Sequence, residues 1–281
     1  MTAEAIAGKG QRRAESAMRS EIESFHYMGV RIDNVNHAAV SGKIRKILEE
    51  NGKAYICVND VASVIMASRD AGIFSAINSS FLSIADGTPL AWFGRLAGCG
   101  EMERIAGMDL MERLFAEKGY RHYLLGDTDD VISRVIRKAG RLNNDIHIEG
   151  HSPPFKDFDD EDNRVIFSKL NGARPDIVWV CLGGGKQDKW MYNNIKSLDR
   201  GVMIGVGAAF RWFTGDLWTP PRLFQKMGLQ QLFRIAHHLA EDPVKNMRFV
   251  LGTIIKRDLI FLLNFPGELV RVRSRKGMEN P

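Results

Sequence analysis

An aspartate with potential for acid–base chemistry follows a short apolar run of this 281-residue sequence. Asp86 stands directly after the run FLSIA and directly before Gly87. At the carboxyl end of a strand in a parallel sheet, a side chain points into the crevice where α/β proteins bind ligands. A carboxylate there can take a proton from an attacking hydroxyl group, so Asp86 is a candidate general base. The alternative is that Asp86 caps a helix beginning near Pro89, with Thr88 as a competing cap.

Two glycine-rich segments could bind an anion. Gly183, Gly184 and Gly185 stand between an apolar run and a helical segment, so their N–H groups could face a diphosphate at a helix N-terminus. The alternative is a tight turn without a ligand. Gly205 and Gly207 form the second segment. Neither segment has the full GxGxxG spacing with a following acidic residue, which disfavours a dinucleotide-dependent oxidoreductase.

The segment Asp127-Thr128-Asp129 has the Asp-x-Asp spacing with which many sugar-nucleotide enzymes hold a divalent metal. Hard cations favour carboxylate oxygens, so this segment is a possible metal site. Asp127 or Thr128 is equally suited to cap the helix that follows. The sequence therefore leaves metal binding and helix capping both open here.

The cysteines and the charge distribution limit the class of protein. Cys57, Cys99 and Cys181 are isolated, without CxxC spacing, which argues against a zinc site and a disulfide framework. The first 30 residues lack the apolar core of a secretory signal, so we expect a cytoplasmic protein. Residues 211–281 hold 12 Lys and Arg against 6 Asp and Glu, net +6, whereas residues 1–210 sum to −1. Such a basic segment could face phosphates, and its scarcity of aromatic residues after Phe265 disfavours nucleic acid.

The sequence alternates between strand-like and helix-like segments, and these segments would position Asp86, the glycine segments and Asp127. It predicts a Rossmann-like α/β domain over residues 30–210, with a largely parallel sheet and helices on both faces. An N-terminal extension (1–29) would precede it, and a basic helical C-terminal appendage (211–281) would follow. The predicted strands are Ala54–Val58, Phe81–Ala85, His122–Leu125, Ile146–Ile148, Ile177–Leu182 and Val202–Val206; the predicted helices are Val61–Asp70, Asp109–Lys118, Val131–Leu142, Asp160–Leu170 and Lys186–Ile195.

The appendage contains a strongly apolar run over Phe249–Phe265. Lys256, Arg257 and Asp258 interrupt this run, which makes it too short and too charged to span a bilayer. An interfacial or partner-docking helix is the favoured interpretation, and an ordinary packed helix is the alternative. Pro266 is expected to mark the end of this helix, with a frayed basic tail beyond it.

Four stretches, in order along residues 30–250, resemble the signatures of the WecG/TagA/CpsF glycosyltransferases, which form glycosyltransferase family 26. One such stretch by itself would be weak evidence, whereas four in the same order are specific. They are IADG from Ile84 with Pro89 and Trp92, followed by ERIAGMDL from Glu103; GGGKQDKW from Gly183; GVGAAF from Gly205 with Gly215; and a C-terminal block of Pro221, Gly228-Leu229, Arg234, Glu241-Asp242-Pro243 and Arg248-Phe249.

The resemblance implies an inverting transfer of a hexose or N-acetylhexosamine from a UDP-sugar onto a polyprenyl-diphosphate-linked sugar, without cofactor or metal. The product would serve surface polysaccharide or teichoic acid synthesis. The protein would bind peripherally to the anionic inner face of the cell membrane. The resemblance makes Asp86 the catalytic base; the implied donor-binding residues are Asn59, Arg104, Gly183, Gly184, Gln187, Gly205 and Gly207, and the implied acceptor pyrophosphate-binding residues are Arg234, Lys245 and Arg248.

The sequence also departs from the family pattern. Cys57 stands where the family has Thr, and a thiol is a poorer hydrogen-bond donor than a hydroxyl. Arg211 stands where the family has Asp, which reverses a charge beside the expected crevice. Asp188 stands for Glu and Gly185 for Pro. Cys57 and Arg211 favour the alternative function, a non-catalytic membrane-associated assembly protein that retains the fold.

Overall fold

The computed structural model describes residues 22–218, 235–236, 247 and 250–279. Its central feature is a six-stranded sheet in which every pairing is parallel. A two-stranded antiparallel hairpin precedes it. The strands are β1 (Ser24–Tyr27), β2 (Val30–Asp33), β3 (Lys53–Asn59), β4 (Leu82–Ala85), β5 (Arg121–Gly126), β6 (His147–His151), β7 (Ile177–Cys181) and β8 (Gly201–Gly205), and the order in the large sheet is β4-β3-β8-β7-β5-β6.

Helices follow the strands and cover both faces of the sheet, as parallel crossovers require. The predicted Rossmann-like architecture is therefore confirmed. The helices are α1 (His37–Glu49), α2 (Val61–Ala67), α3 (Ala71–Ser79), α4 (Thr88–Leu96), α5 (Gly107–Ala116), α6 (Asp129–Leu142), α7 (Asp160–Ala173), α8 (Lys186–Asn194), α9 (Ala209–Thr214) and α10 (Lys256–Glu279), with a π-helical segment Val250–Ile255 before the last.

Two hydrophobic clusters form the core because side chains alternate along each strand. In β3, Tyr55 and Cys57 belong to one cluster, whereas Ala54 and Ile56 belong to the other. In β7 the same alternation buries Trp179 in the second cluster. Burial on both faces explains why these strands are continuous apolar runs in the sequence.

The β1–β2 hairpin straddles the boundary expected at residue 30, with β1 before it and β2 beginning at Val30. Met28 and Gly29 form its tip with φ of 50° and 80°, and Phe25 and Tyr27 are buried in the first cluster. Tyr27 packs edge-on against Phe93 of α4 at 4.8 Å between ring centroids. Residues from Ser24 onward therefore belong to the packed domain.

Helix α10 packs on the domain through one side. Phe261 is 3% exposed, its ring stacks on Tyr27 at 4.6 Å, and the Tyr27 hydroxyl donates to the Phe261 carbonyl at 2.5 Å. The helix continues through Pro266, so the expectation that this proline ends it is wrong. Proline removes one hydrogen bond, to the carbonyl of Leu262. Because Leu262 is 62% exposed, solvent can satisfy that carbonyl.

The other side of α10 and of the preceding π-helical turn carries exposed apolar residues. We call this set the apolar stripe; it consists of Leu251, Ile255, Leu259, Leu262, Leu263 and Val270. The segment therefore combines the two alternatives left by the sequence, a packed face and an exposed apolar face. Across the described residues, no helix is both long enough and apolar enough to cross a membrane.

Candidate active site

A cleft of about 570 Å³ opens at the carboxyl ends of β3, β4, β7 and β8. This is the edge where parallel α/β sheets bind ligands. Its charged lining residues are Asp60, Asp86, Arg104, Arg257 and Asp258. Sequence-predicted residues Gly184, Gln187 and Gly207 also line it.

Asp86 follows β4 and faces the cleft half-buried. Its backbone N–H donates to the Asn59 carbonyl at 2.8 Å, which continues the β3–β4 pairing by one residue and fixes the strand end. Helix α4 begins at Thr88 with Gly87 at its N-cap, and no side chain caps it among the residues described. The N-cap residue of α4 is therefore Gly87 rather than Asp86.

Arg104 lies on the loop before α5, and its side chain is 22% exposed. Its Nη1 lies 3.3 Å from the Asp109 carboxylate in the first turn of α5, which orients the guanidinium along the wall of the cleft. This partner is an aspartate within the ERIAGMDL motif. The rest of the guanidinium borders the cleft, where it could meet an anion.

Gln187 closes the floor of the cleft between β7 and β8. It is 3% exposed, and its Oε1 accepts from the Gly207 N–H at 3.0 Å. A Cβ built on Gly205 would lie 3.0 Å from the Gln187 amide nitrogen, so a glycine there permits the close approach. The two predicted glycine segments are thus joined through one amide side chain. Gly184 borders the cleft, while Gly183, with φ of 87°, forms the turn beside it.

Asn59 ends β3 below the cleft rather than in its lining. It is 0% exposed, and its Nδ2 donates to the Ser83 hydroxyl at 2.9 Å. Because the Asn59 carbonyl accepts from the Asp86 N–H, Asn59 supports the candidate base from beneath. Its assignment to donor binding stays a prediction, and in this structure the contact would be indirect.

Asp188 and Cys57, two of the departures from the family pattern, meet behind Gln187. Asp188 is 2% exposed and Cys57 is 0% exposed. Burial raises the pKa of Asp188 to about 6, opposed by a hydrogen bond from the Cys57 thiol. Burial also raises the pKa of Cys57 well above its ordinary value. Both departures are therefore accommodated beneath the cleft, not exposed in it.

Several helices that begin at the cleft start without a capping side chain in the described part of the chain, although α2, which also begins there, is capped by Asp60. Helices α4, α5 and α8 have Gly87, Ala106 and Gly185 at their N-caps, with no capping side chain within the described ranges. By contrast, a side chain accepts a backbone N–H at the start of each of the helices α1, α2, α3, α6 and α7. Unpaired N–H groups and the helix dipole make an N-terminus attractive to anions. The cleft thus gathers these three ends, together with the start of α9, which has Ala208 at its N-cap and no capping side chain among the residues described.

Asp127 and Arg211 lie at the same sheet edge but outside the cleft lining. The Arg211 guanidinium donates to both Asp127 carboxylate oxygens at 2.9 Å. Thr128, not Asp127, caps α6, which confirms one of the two capping possibilities. Within the described ranges no group of three or more metal-binding side chains was found. The charge reversal at Arg211 is therefore compensated locally.

Arg257 and Asp258, in the first turn of α10, complete the cleft lining. The sequence marked them only as charges that interrupt an apolar run. A guanidinium beside an apolar surface is the signal that could have suggested a role. The predicted acceptor-binding residues Arg234, Lys245 and Arg248 lie outside the described residues.

Comparison with known proteins fits this geometry. The model of the glycosyl transferase WecG/TagA/CpsF family matches residues 25–258. The chain belongs to this family. The resemblance drawn from its four motifs is confirmed, and the WecG/TagA/CpsF match extends into the first turn of α10.

Three curated relatives share one enzyme name, N-acetylglucosaminyldiphosphoundecaprenol N-acetyl-beta-D-mannosaminyltransferase. The Bacillus subtilis protein is 28% identical over 60% of this chain and 66% of its own length, slightly under two thirds. The Bacillus spizizenii protein is 25% identical over 67% of this chain and 73% of its own length. A Staphylococcus aureus protein is 23% identical over 77% of this chain and 85% of its own length.

Proposed function

We propose that this WecG/TagA/CpsF protein is an inverting glycosyltransferase that moves a hexose or N-acetylhexosamine from a UDP-sugar to a polyprenyl-diphosphate-linked sugar. The acceptor hydroxyl loses its proton to the Asp86 carboxylate and attacks the anomeric carbon. The bond from that carbon to the UDP oxygen breaks, and UDP leaves with the electron pair. Attack opposite the leaving group inverts the anomeric centre.

The observation that carries this proposal is the position of Asp86. Its carboxylate stands in a cleft whose other features suit an anionic leaving group. A base must stand within reach of the attacking hydroxyl, whereas the leaving diphosphate needs positive charge elsewhere in the same site. The Asp86 carboxylate and the Arg104 guanidinium line the same cavity.

Arg104 and the uncapped starts of α5 and α8 are the groups we assign to the donor diphosphate. A fixed guanidinium and backbone N–H groups stabilise developing negative charge without reorganising at the moment of reaction. Gln187 and Gly207 would hold the donor through the polar floor of the cleft. No metal or cofactor is included in this assignment.

The names of the relatives suggest the substrates to test first. We take N-acetylglucosaminyl-diphosphoundecaprenol as the acceptor and N-acetylmannosamine as the transferred sugar. Purified protein would be assayed for UDP release with a panel of UDP-sugars and a short-chain lipid-diphosphate N-acetylglucosamine. UDP release that needs both substrates is the expected result. Absence of release with every donor would favour the non-catalytic alternative.

The non-catalytic assembly function was suggested by Cys57 and Arg211. In the structure Cys57 is fully buried beneath the cleft, and Arg211 pairs with Asp127 outside it. Neither residue blocks the space around Asp86. The enzymatic proposal is therefore favoured over this alternative.

We further propose that the protein binds the anionic membrane face where its lipid acceptor resides. The apolar stripe would enter the lipid boundary, and neighbouring cations would meet anionic head groups at about 1 kcal/mol each. Removing everything after Trp218 would test this poorly, because Phe261 and Val272 are buried in the core and their loss would uncover it.

Substitutions in the apolar stripe give a sharper test. We expect Leu259→Ser combined with Leu263→Ser to reduce co-sedimentation with anionic liposomes severalfold while the melting temperature stays near that of the parent. Both side chains are more than half exposed, at 52% and 71%. Val165→Ser is the matched control, since Val165 is an exposed apolar residue on α7. Equal sedimentation of all variants would contradict membrane binding through the stripe.

A further inference from the structure

We infer that Arg257 is a substrate-binding residue of the cleft and that it binds the diphosphate of the lipid-linked acceptor. The inference rests on the proposed function and adds a residue to it. Arg257 lines the same cavity as Asp86 and Arg104, although it lies far away in the sequence. Its side chain is 21% exposed, so most of it is enclosed by the protein.

The guanidinium of Arg257 has capacity left for a ligand. Its ion pair is to the adjacent Asp258, through Nε at 3.5 Å. In the part of the chain that the structure describes, no partner is found for its two Nη groups. A guanidinium presents five donors in a planar fork that matches phosphate oxygens. The Nη groups of Arg257 are therefore available as donors at the wall of the cleft.

The packing of α10 fixes where Arg257 stands. One turn further along, Phe261 is stacked on Tyr27 and bonded to its hydroxyl. Near the other end, Arg273 donates to the Leu96 carbonyl of α4 at 2.7 and 3.0 Å. The helix is thus tied to the domain at two points. A side chain on a rigid element can hold a ligand more accurately than one on a loop.

Two diphosphates could occupy the cleft, one from the donor and one from the acceptor. The proposed function assigns Arg104 and the uncapped starts of α5 and α8 to the donor diphosphate. Arg257 instead comes from the helix that carries the apolar stripe. A lipid-linked diphosphate would arrive from that side, with its chain near the apolar residues. The geometry therefore points to the acceptor.

The test compares Arg257→Gln with Lys256→Gln. Both variants remove one positive charge from the same helical turn, but Lys256 is exposed and is not part of the cleft lining. We expect Arg257→Gln to raise the acceptor KM by ~10–100-fold, the effect of losing hydrogen bonds to a charged group, and to leave UDP affinity within about twofold. Lys256→Gln should leave both within about twofold. Arg257→Lys should be intermediate, because it keeps the charge and loses the fork.

Direct binding of farnesyl diphosphate, measured by calorimetry, separates this inference from the proposed function. If the protein binds farnesyl diphosphate in a way that depends on Arg257 but transfers no sugar, the proposed function is wrong and the inference about Arg257 still holds. Normal transfer with an unchanged acceptor KM in Arg257→Gln would overturn the inference alone. Weaker UDP binding in Arg257→Gln, or an equal effect of Lys256→Gln, would also overturn it. Melting temperatures of the three variants show whether any loss comes from unfolding instead, and Arg257→Lys then decides the outcome.

Discussion

Asp86 and Asp127 each follow a strand at the same edge of one parallel sheet, yet their surroundings differ. Asp86 borders an open cleft beside α4, whose N-cap residue, Gly87, has no side chain to cap the helix. Asp127 has φ of 56°, and its carboxylate, 5% exposed, is held by both ends of the Arg211 guanidinium. Next to it, Thr128 caps α6. A strand end brings a carboxylate to the edge; its neighbours decide whether that carboxylate can react.

The same contrast separates the two halves of the sheet edge. Around the cleft, α4, α5 and α8 start without a capping side chain among the described residues and could meet an anion, whereas α2 is capped by Asp60. Beyond β5 and β6, the starts of α6 and α7 are satisfied by Thr128 and by an Asp159–Asp162 capping box. We assign the first half of the edge to ligand binding, whereas the capped helix starts of the second half stabilise the fold. The predictions below, in order of decreasing effect, test that division.

The largest effect is expected from Asp86→Asn. Turnover should fall ~10²–10⁴-fold, the range usual for losing a positioned base, while UDP affinity and the melting temperature stay close to those of the parent. Asp127→Asn is the comparator and should lower turnover no more than about threefold. UDP release assays and thermal melts measure both. Unchanged turnover in Asp86→Asn would remove Asp86 from the role of base.

Arg104→Ala and Gln187→Ala should have the next largest effect, on use of the donor. Loss of a guanidinium that meets the diphosphate should raise the donor KM by ~10–100-fold, since hydrogen bonds to charged groups contribute about 1.5–3 kcal/mol. Gln187→Ala should act similarly and also release the Gly207 N–H. Kinetics across donor concentration, with melting curves as a control, measure this. Normal kinetics with much lower melting temperatures would mean that both residues are structural.

A smaller effect, on stability rather than activity, is expected from Arg211→Gln. It leaves the enclosed Asp127 carboxylate without its cation, which should cost about 1–2 kcal/mol and lower the melting temperature by a few degrees. A double-mutant cycle with Asp127→Asn should show that the two losses are not additive. Additive losses would mean that the pair does not interact. A large change in donor preference would instead connect Arg211 to the cleft.

The smallest effect is expected from a metal chelator. Turnover should be unchanged by EDTA, because Arg104 and helix N-termini are assigned to the leaving diphosphate and Asp127 is engaged by Arg211. Activity would be compared before and after dialysis against EDTA. If EDTA abolishes activity and Mg²⁺ or Mn²⁺ restores it, Asp127 and Asp129 would be candidates for a metal site. Asp127 would then take part in the reaction, as Asp86 does.

Much of the sheet could be predicted because its signal is local. Each of the six predicted strands overlaps a strand of the large sheet. Runs buried on both faces are continuously apolar, and β6 (HIEGH), which is largely exposed, is the exception. The β1–β2 hairpin was missed, although the alternation around Phe25, Tyr27, Val30 and Ile32 and the Gly29 turn carry its signal. Helices α1, α3 and α9 were also missed, whereas a helix beginning near Pro89, which is α4, was anticipated; α3 has nine residues and α9 six, too short for a clear helical period.

The sequence by itself determined the family, the parallel α/β architecture and the strand-end placement of Asp86, because each depends on residues close together in the chain. Tertiary structure decided which distant groups share the cleft. It placed Asn59 beneath the cleft and Arg211 against Asp127, and it brought Arg257 to the cavity of Asp86. Local periodicity determines which face of α10 is apolar. The packing of that face on Tyr27 and Phe93 determines where the first turn of α10, with Arg257, is placed.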